Sequence, residues 1–172
     1  MRWCWRLTLT IEVNEEEDAT NRLTSAIFAS GQRLIRVEGH PGTGKSRVAK
    51  ALAASLNGER LETDAYLDGK GSRGRKYPQM LVMDRLEADL HAMSERSQYL
   101  ILDGIWLEAA LPSESFGNGF RIYVKIRLPK ADQADFRARN RSLKTDLYHS
   151  RFDPMASADI VVVKTVTAWR EL

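Results

Sequence analysis

Cysteine is almost absent from this chain, since Cys4 is the only one. One thiol can form no internal disulfide and supplies no cysteine-based zinc site, so we expect a reducing compartment and a cytoplasmic protein. Long hydrophobic runs are also missing, because no apolar stretch approaches the roughly 20 residues that a membrane helix needs. The first residues contain no small-residue cleavage site, so the sequence predicts neither secretion nor a membrane partner.

A strong excess of charge of one sign is missing as well. The net charge is +3 and the isoelectric point is near 9.1, without long basic runs. This mild basicity suits an anionic small molecule and does not favour a dedicated nucleic-acid partner. Internal repeats and low-complexity segments are absent, so residues 1–172 are predicted to form a single domain, with 1–17 as an N-terminal extension or edge strand. No feature of the sequence indicates an oligomeric state.

Short apolar runs alternate with helical patterns along the chain. A first helix is predicted from Asp18, with Leu23, Ile27 and Phe28 on its packed side. Strands are predicted near 33–37, 60–63, 99–102, 121–126 and 159–163, and further helices near 48–56, from 78, and at 131–148. Alternation of this kind predicts an α/β fold of three layers, in which a parallel sheet lies between helices.

The first strand is followed by G-H-P-G-T-G-K-S, a full match to the phosphate-binding pattern G-x-x-x-x-G-K-[ST]. Its place between a predicted strand and a predicted helix is the context that the pattern requires. Backbone N–H groups of such a loop point at phosphate oxygens, Lys45 would reach the β- and γ-phosphates, and Ser46 would bind Mg²⁺ through its hydroxyl. The predicted nucleotide-binding residues are Gly39, His40, Pro41, Gly42, Thr43, Gly44, Lys45, Ser46 and Arg47.

Two carboxylates follow predicted strands. Asp103 ends the apolar run 99–102 and is the candidate for organising Mg²⁺, directly or through water, although Asp-Gly is also a common turn pair. Asp64 ends the second predicted strand, beside the phosphate loop, where an acid can accept the proton of an attacking hydroxyl. It is the candidate general base; a capping role is the alternative, and Glu62 is the fallback acid.

Basic residues are concentrated in two segments. Arg137 and Arg141 lie one turn apart on the predicted helix within a lid at 129–150, where they would stabilise charge on a transferred phosphoryl group. A solvated helix face is the alternative. Lys70, Arg73, Arg75 and Lys76 crowd a glycine-rich loop, which is either a solvated surface or a contact for an anionic acceptor.

Taken in order, these motifs resemble the uridine-kinase-like branch of P-loop small-molecule kinases. The resemblance runs from about residue 23 to 163. It is carried by the phosphate loop, Asp64-Ala65-Tyr66, Tyr77-Pro78, the run 100–105, the arginine-bearing segment 136–141 and the final strand. It implies ATP as the donor, Mg²⁺ as the metal, Asp64 as the base and Arg137 and Arg141 as clamps on the phosphoryl group.

The sequence thus predicts an enzyme that transfers a phosphoryl group from ATP to a hydroxyl of a small-molecule acceptor, such as a nucleoside, riboside, sugar or vitamin-like alcohol. A kinase of nucleotides or coenzyme precursors is one alternative. An NTP-hydrolysing switch module is another, although the N-K-x-D motif expected of a GTPase is absent.

Overall fold

Six parallel strands form one sheet in the computed structural model, which describes residues 8–13, 16–70, 77–111, 117, 119–140 and 143–166. The strand order is β1-β6-β5-β2-β4-β3. The strands are β1 (Leu9–Val13), β2 (Leu34–Gly39), β3 (Glu59–Glu62), β4 (Leu100–Asp103), β5 (Phe120–Arg127) and β6 (Ile160–Thr165). The helices are α1 (Glu16–Ser30), α2 (Lys45–Ser55), α3 (Met83–Arg96), α4 (Leu107–Ala110), α5 (Lys130–Asn140) and α6 (Leu143–Phe152), with 3₁₀ helices at Thr63–Tyr66 and Tyr77–Met80.

Helices cover both faces of the sheet, so every residue of β4 is buried and β2 buries Arg36 and Glu38 along with its apolar side chains. On one face, Leu23 of α1 and Leu52 of α2 join a buried cluster with Ile35 of β2. On the opposite face, Leu86 of α3 packs in a second cluster with Leu102 of β4. The three-layer α/β fold predicted from the sequence is therefore confirmed.

The strand order places β2 in the middle of the sheet, between β4 and β5. Val37 lies opposite Asp103 of β4, and Gly39 lies opposite Val124 of β5. Because all six strands are parallel, their carboxyl ends meet at a single edge of the sheet. Loops that follow β2, β3, β4 and β5 consequently converge there, which is where ligands bind in open α/β sheets.

Four local expectations were wrong. The single helix predicted at 131–148 is two helices, α5 and α6. The helix predicted to open at residue 78 begins at Met83, after a separate 3₁₀ turn, and the short helix α4 was not predicted. Phe28 is 56% exposed and meets Tyr99 edge to face, because a residue next to Ile27 is rotated by about 100° around the helix and cannot share its face.

The N-terminal segment contributes an edge strand. Leu9–Val13 pairs in parallel with β6, and Ile11 is fully buried against α1 and α2. The rest of the segment predicted as 1–17 lies mostly outside the described residues. Among the described helices, none combines the length and the apolar character that crossing a membrane demands.

Candidate nucleotide and phosphoryl-transfer site

The phosphate loop leaves the sheet at Gly39 and turns sharply into α2. A Cβ atom at Gly39 would collide with the Val124 carbonyl oxygen, so only glycine lets β2 run this close to β5. Gly42 and Gly44 have φ angles of 76° and 81°, the left-handed region that glycine enters at little cost. Thr43 closes the turn by donating its backbone N–H and its hydroxyl to the His40 carbonyl, at 3.3 and 2.9 Å.

Helix α2 begins directly after this loop, with Gly44 as its N-cap residue. Glycine has no side chain to satisfy the first N–H groups of the helix, and the first turn contains no acidic residue. The positive end of the helix dipole and its N–H groups therefore face the loop. Lys45 and Ser46, both half-buried, occupy the first two helical positions, while Arg47 is exposed. The geometry suits a bound phosphate chain.

Lys45 lies within the electrostatic reach of four carboxylates. Burial lowers the pKa of its ammonium group, and the negative charges act in the opposite direction, in the order Asp64, Asp103, Glu38 and Glu62. The structure thus brings together the lysine and both acids that the sequence singled out. A phosphate anion at the loop would add to these charges and favour the protonated lysine further.

The element that positions Asp64 at this site differs from the one predicted. Strand β3 is the edge strand, and β4 separates it from β2, so Asp64 does not follow a strand adjacent to the loop. It lies instead in the 3₁₀ helix Thr63–Tyr66, with its side chain exposed. Thr63 is fully buried against Gly104, where any Cβ would collide with the Thr63 hydroxyl. Glycine at position 104 therefore leaves room for the 3₁₀ helix that contains Asp64.

Asp103 ends β4 and is completely buried. Arg60 lies against both of its carboxylate oxygens: Nη2 donates a hydrogen bond to Oδ2 at 3.0 Å, and Nε lies 2.7 Å from Oδ1 in an ion pair without hydrogen-bond geometry. The same nitrogen of Arg60 is 2.9 Å from Glu62 Oε2. One guanidinium therefore neutralises two carboxylates on neighbouring strands. A metal bound directly to Asp103 would have to displace Arg60, whereas a metal-bound water would not.

The donor set fits Mg²⁺. The Ser46 hydroxyl and the Asp103 carboxylate are hard oxygen ligands, and Mg²⁺ in nucleotide sites takes most of its remaining ligands from phosphates and water. Within the described residues, no group of three or more His, Cys, Asp and Glu side chains is placed to hold a metal by itself.

Part of the segment predicted as a lid lines a cavity together with the phosphate loop. A cavity of about 320 Å³ at the carboxyl ends of β5 and β6 is lined by His40 and Thr43 of the loop, Lys125 of β5, and Phe136 and Arg137 of α5. Arg137 is thereby brought to the phosphate loop. Arg141 lies outside the described residues, as do Arg73, Arg75 and Lys76.

A second cavity, of about 400 Å³, lies elsewhere. Its lining includes Arg33 and Leu34, near the start of β2, and Leu90 of α3. These residues sit toward the amino ends of the strands, whereas Lys45, Asp64 and Asp103 lie toward the carboxyl ends. Although this cavity is larger, the chemistry of the chain is concentrated at the other end of the sheet.

Three residues near the loop were missed by sequence reasoning. Glu38, immediately before the loop, is buried, and its burial raises its pKa to about 7. The Leu107 N–H and the Tyr148 hydroxyl both donate hydrogen bonds to it. The predicted strand ended at residue 37, whereas β2 extends through Glu38 to Gly39 and is covered on both faces, so the burial of Glu38 was not predicted. Lys164 of β6 comes close to Gly44, with its Nζ 3.0 Å from where a Cβ would lie. 

The third is His149 of α6, whose ring stacks on that of His40 at 3.9 Å between centroids. His40 and His149 are far apart in the sequence, one in the phosphate loop and the other in a late helix. No local pattern could have revealed this contact, because it depends on the path of the chain between β5 and β6.

The loop, the sheet order and the covering helices together define a P-loop kinase-like α/β fold. No protein-family model matches the chain, and no curated protein matches it. Among solved structures, a possible uridine kinase from Bacillus stearothermophilus aligns with a TM-score of 0.59, over 85% of this chain and 98% of that one, at 17% sequence identity. A likeness at this identity confirms the uridine-kinase-like fold, while the reaction stays a prediction.

Proposed function

We propose that this chain is an ATP-dependent phosphotransferase that moves the γ-phosphoryl group to a hydroxyl of a small molecule such as a nucleoside, a riboside, a sugar or a similar alcohol. One observation carries the proposal: Lys45 of a complete phosphate loop lies at the edge of the sheet where the charges of Asp64 and Asp103 favour its protonated form. A lysine for phosphate and a separate exposed acid are the parts that transfer to a hydroxyl requires.

Each residue has a distinct task in this reaction. The loop N–H groups and Lys45 bind the phosphate chain and offset the charge that builds up on the leaving oxygen. Asp64 accepts the proton of the acceptor hydroxyl while the oxygen of that hydroxyl forms a bond to the γ-phosphorus. The bond between the γ-phosphorus and the oxygen that bridges it to the β-phosphate breaks, and ADP is released. Arg137 compensates the charge on the transferred group from the cavity side.

Ser46 and Asp103 would hold Mg²⁺, which supplies charge neutralisation of the phosphate oxygens when it is bound. Asp103 would act through a water molecule, because Arg60 engages both of its oxygens. Ser46 would then be the protein's direct ligand. This arrangement is consistent with a metal that enters together with ATP.

The acceptor class is open to a direct test. ADP release should be measured with Mg²⁺ and ATP against nucleosides including uridine, other ribosides, sugars, vitamin-like alcohols and the corresponding monophosphates, with an acceptor-free control. Turnover that depends on an unphosphorylated alcohol supports the proposal. A requirement for a monophosphate would identify a nucleotide or coenzyme-precursor kinase, and turnover unaffected by any acceptor would identify an NTP-hydrolysing module.

A matched pair of lysine variants sharpens this assay. Lys45→Ala should abolish acceptor-dependent turnover, whereas Lys50→Ala, an exposed lysine of the same helix, should leave it unchanged. If both variants behave alike, the activity does not arise at the phosphate loop.

A further inference from the structure

Two imidazole rings join the phosphate loop to helix α6. His40, the second residue of the loop, and His149 of α6 stack with their ring centroids 3.9 Å apart and an angle of 11° between the planes. Both side chains are half-buried. His40 also lines the cavity over the loop, so its ring lies between His149 and the proposed nucleotide space.

The His149 ring is held at both nitrogens. Nδ1 lies 2.8 Å from the Thr145 carbonyl oxygen, and Nε2 lies 3.0 Å from the Tyr123 hydroxyl of β5. A carbonyl can only accept, so Nδ1 carries a hydrogen, and Nε2 can accept from or donate to the hydroxyl. The position of His149 is thus fixed by β5 and α6 in either charge state, and it provides a firm surface for His40.

Adding one proton to the neutral stacked pair is more favourable than adding two. A cationic imidazole is attracted to the face of a neutral one, whereas two cations 3.9 Å apart repel strongly. Phosphates in the loop favour the proton on the ring nearer to them, which is His40. Histidine is the side chain that titrates in the physiological range, so this choice has consequences near neutral pH.

Other titratable and charged groups surround the pair. The Tyr148 ring meets His149 edge to face at 5.4 Å, and the Tyr148 hydroxyl in turn bonds to the buried Glu38. The cationic side chains on the wall shared with His40 are Lys125, Arg127 and Arg137. Glu38 is therefore the group whose own protonation must be separated from that of the histidines.

We propose that His149 is a positioning residue for the phosphate loop: it holds the His40 ring at the edge of the nucleotide cavity, so that His40 takes the single proton of the pair when phosphates bind. The inference rests on the proposed binding of a nucleotide at this loop. It links the contact between α6 and the loop to nucleotide affinity, and it makes that affinity depend on pH.

A double-mutant cycle tests whether His149 acts through His40. ATP affinity is measured by calorimetry for the wild type, His40→Ala, His149→Ala and the double variant. His149→Ala should weaken binding by about tenfold in the wild-type background and by less than about threefold in the His40→Ala background, because residues in contact are coupled. His91→Ala on α3, an exposed histidine that lines the other cavity, is the matched control and should change nothing.

Proton uptake on ATP binding distinguishes a role of His149 in positioning His40 from a role in stabilising the fold alone. Calorimetry in two buffers of different ionisation enthalpy counts the protons bound with ATP, and the ligand's own protonation is common to all variants. Uptake should be smaller in His40→Ala and His149→Ala than in the wild type and should persist in Glu38→Gln. Tyr123→Phe, which removes only one anchor of the His149 ring, should give a partial loss of affinity in a chain with an intact fold.

The outcomes are distinct. Equal effects of His149→Ala in both backgrounds, or unchanged proton uptake in the histidine variants, overturn the inference even if melting temperatures fall. If the wild type binds no ATP at all, the proposed function itself fails.

Discussion

Replacing Arg60 by methionine should destabilise the protein more than any comparable change at an exposed ion pair. The substitution keeps the hydrophobic stem but leaves the Asp103 carboxylate, which is 0% exposed, without the guanidinium that engages both of its oxygens. Breaking a buried pair in this way costs about 3–5 kcal/mol. Because the Arg60 side chain is 17% exposed, we expect a value near the lower end, about 3 kcal/mol.

The partner substitution should cost less. Asp103→Asn removes the buried charge and leaves Arg60 with Glu62, whose Oε2 lies 2.9 Å away. The charges of Asp103 and Glu62 outweigh the effect of burial and hold the pKa of the Arg60 guanidinium above its usual value. Combining Arg60→Met with Asp103→Asn should recover much of the loss, since no unpaired charge then stays buried.

Urea unfolding followed by circular dichroism measures these differences, and a loss of about 3 kcal/mol corresponds to a melting temperature lower by roughly 6–12 °C in a domain of this size. Arg96→Met is the control. It breaks the exposed ion pair of Arg96 with Glu59, the first residue of β3, and should have a much smaller effect. If Arg60→Met costs no more than Asp103→Asn, or if the double variant loses as much as the sum of the singles, the buried-charge reasoning is refuted.

Further predictions concern the site itself. Lys45→Ala should abolish phosphoryl transfer, and Asp64→Asn should reduce transfer while calorimetry still detects ATP binding; near-normal turnover in either variant contradicts its assigned role. Arg137→Ala and Arg141→Ala should lower kcat more than they weaken ATP affinity, because the lid acts mainly in the transition state, and a loss confined to affinity would argue against that role. Glu38 is an acid whose pKa in the folded protein, about 7, lies above its unfolded value, so the folded state holds this proton after the unfolded state has lost it. Stability should therefore fall by up to about 3 kcal/mol as pH rises from 4.5 to 7. Urea unfolding across this range should show a flatter dependence in Glu38→Gln, and parallel curves for the two proteins would disprove the assignment.

Much of the fold was predictable because its signals are local. The phosphate loop is specified by glycines that permit φ angles of 76° and 81°, and the apolar run of β4 indicates a strand that is buried on both faces. The positions of Lys45 and Ser46 follow from the loop alone. These features depend only on neighbouring residues, so one sequence is enough to find them.

The parts that escaped prediction depend on distant residues. Strand order decides that β3 is at the edge of the sheet, and nothing in the residues around Asp64 records that order. The engagement of Asp103 by Arg60 joins side chains 43 residues apart, and a pattern of a strand ending in an acid does not predict its counterion. The stacking of His40 on His149 likewise depends on where α6 lies relative to the phosphate loop. Tertiary contacts of this kind decide what each candidate acid or base can do.

Strand β1 has a consequence for the order of assembly during synthesis. The Thr8 hydroxyl beside it bonds to the Ala158 carbonyl across 150 residues of sequence, and β1 pairs with no strand other than β6 among the described residues. The ribosome therefore releases β1 long before its partner exists. The strands around the phosphate loop can pair before β1 does. Bringing β1 to β6 closes a long stretch of chain, which is slow because of its entropic cost. Strand β1 is thus among the last of the described strands to dock, and a stop of translation before residue 160 would leave Ile11 without its buried site.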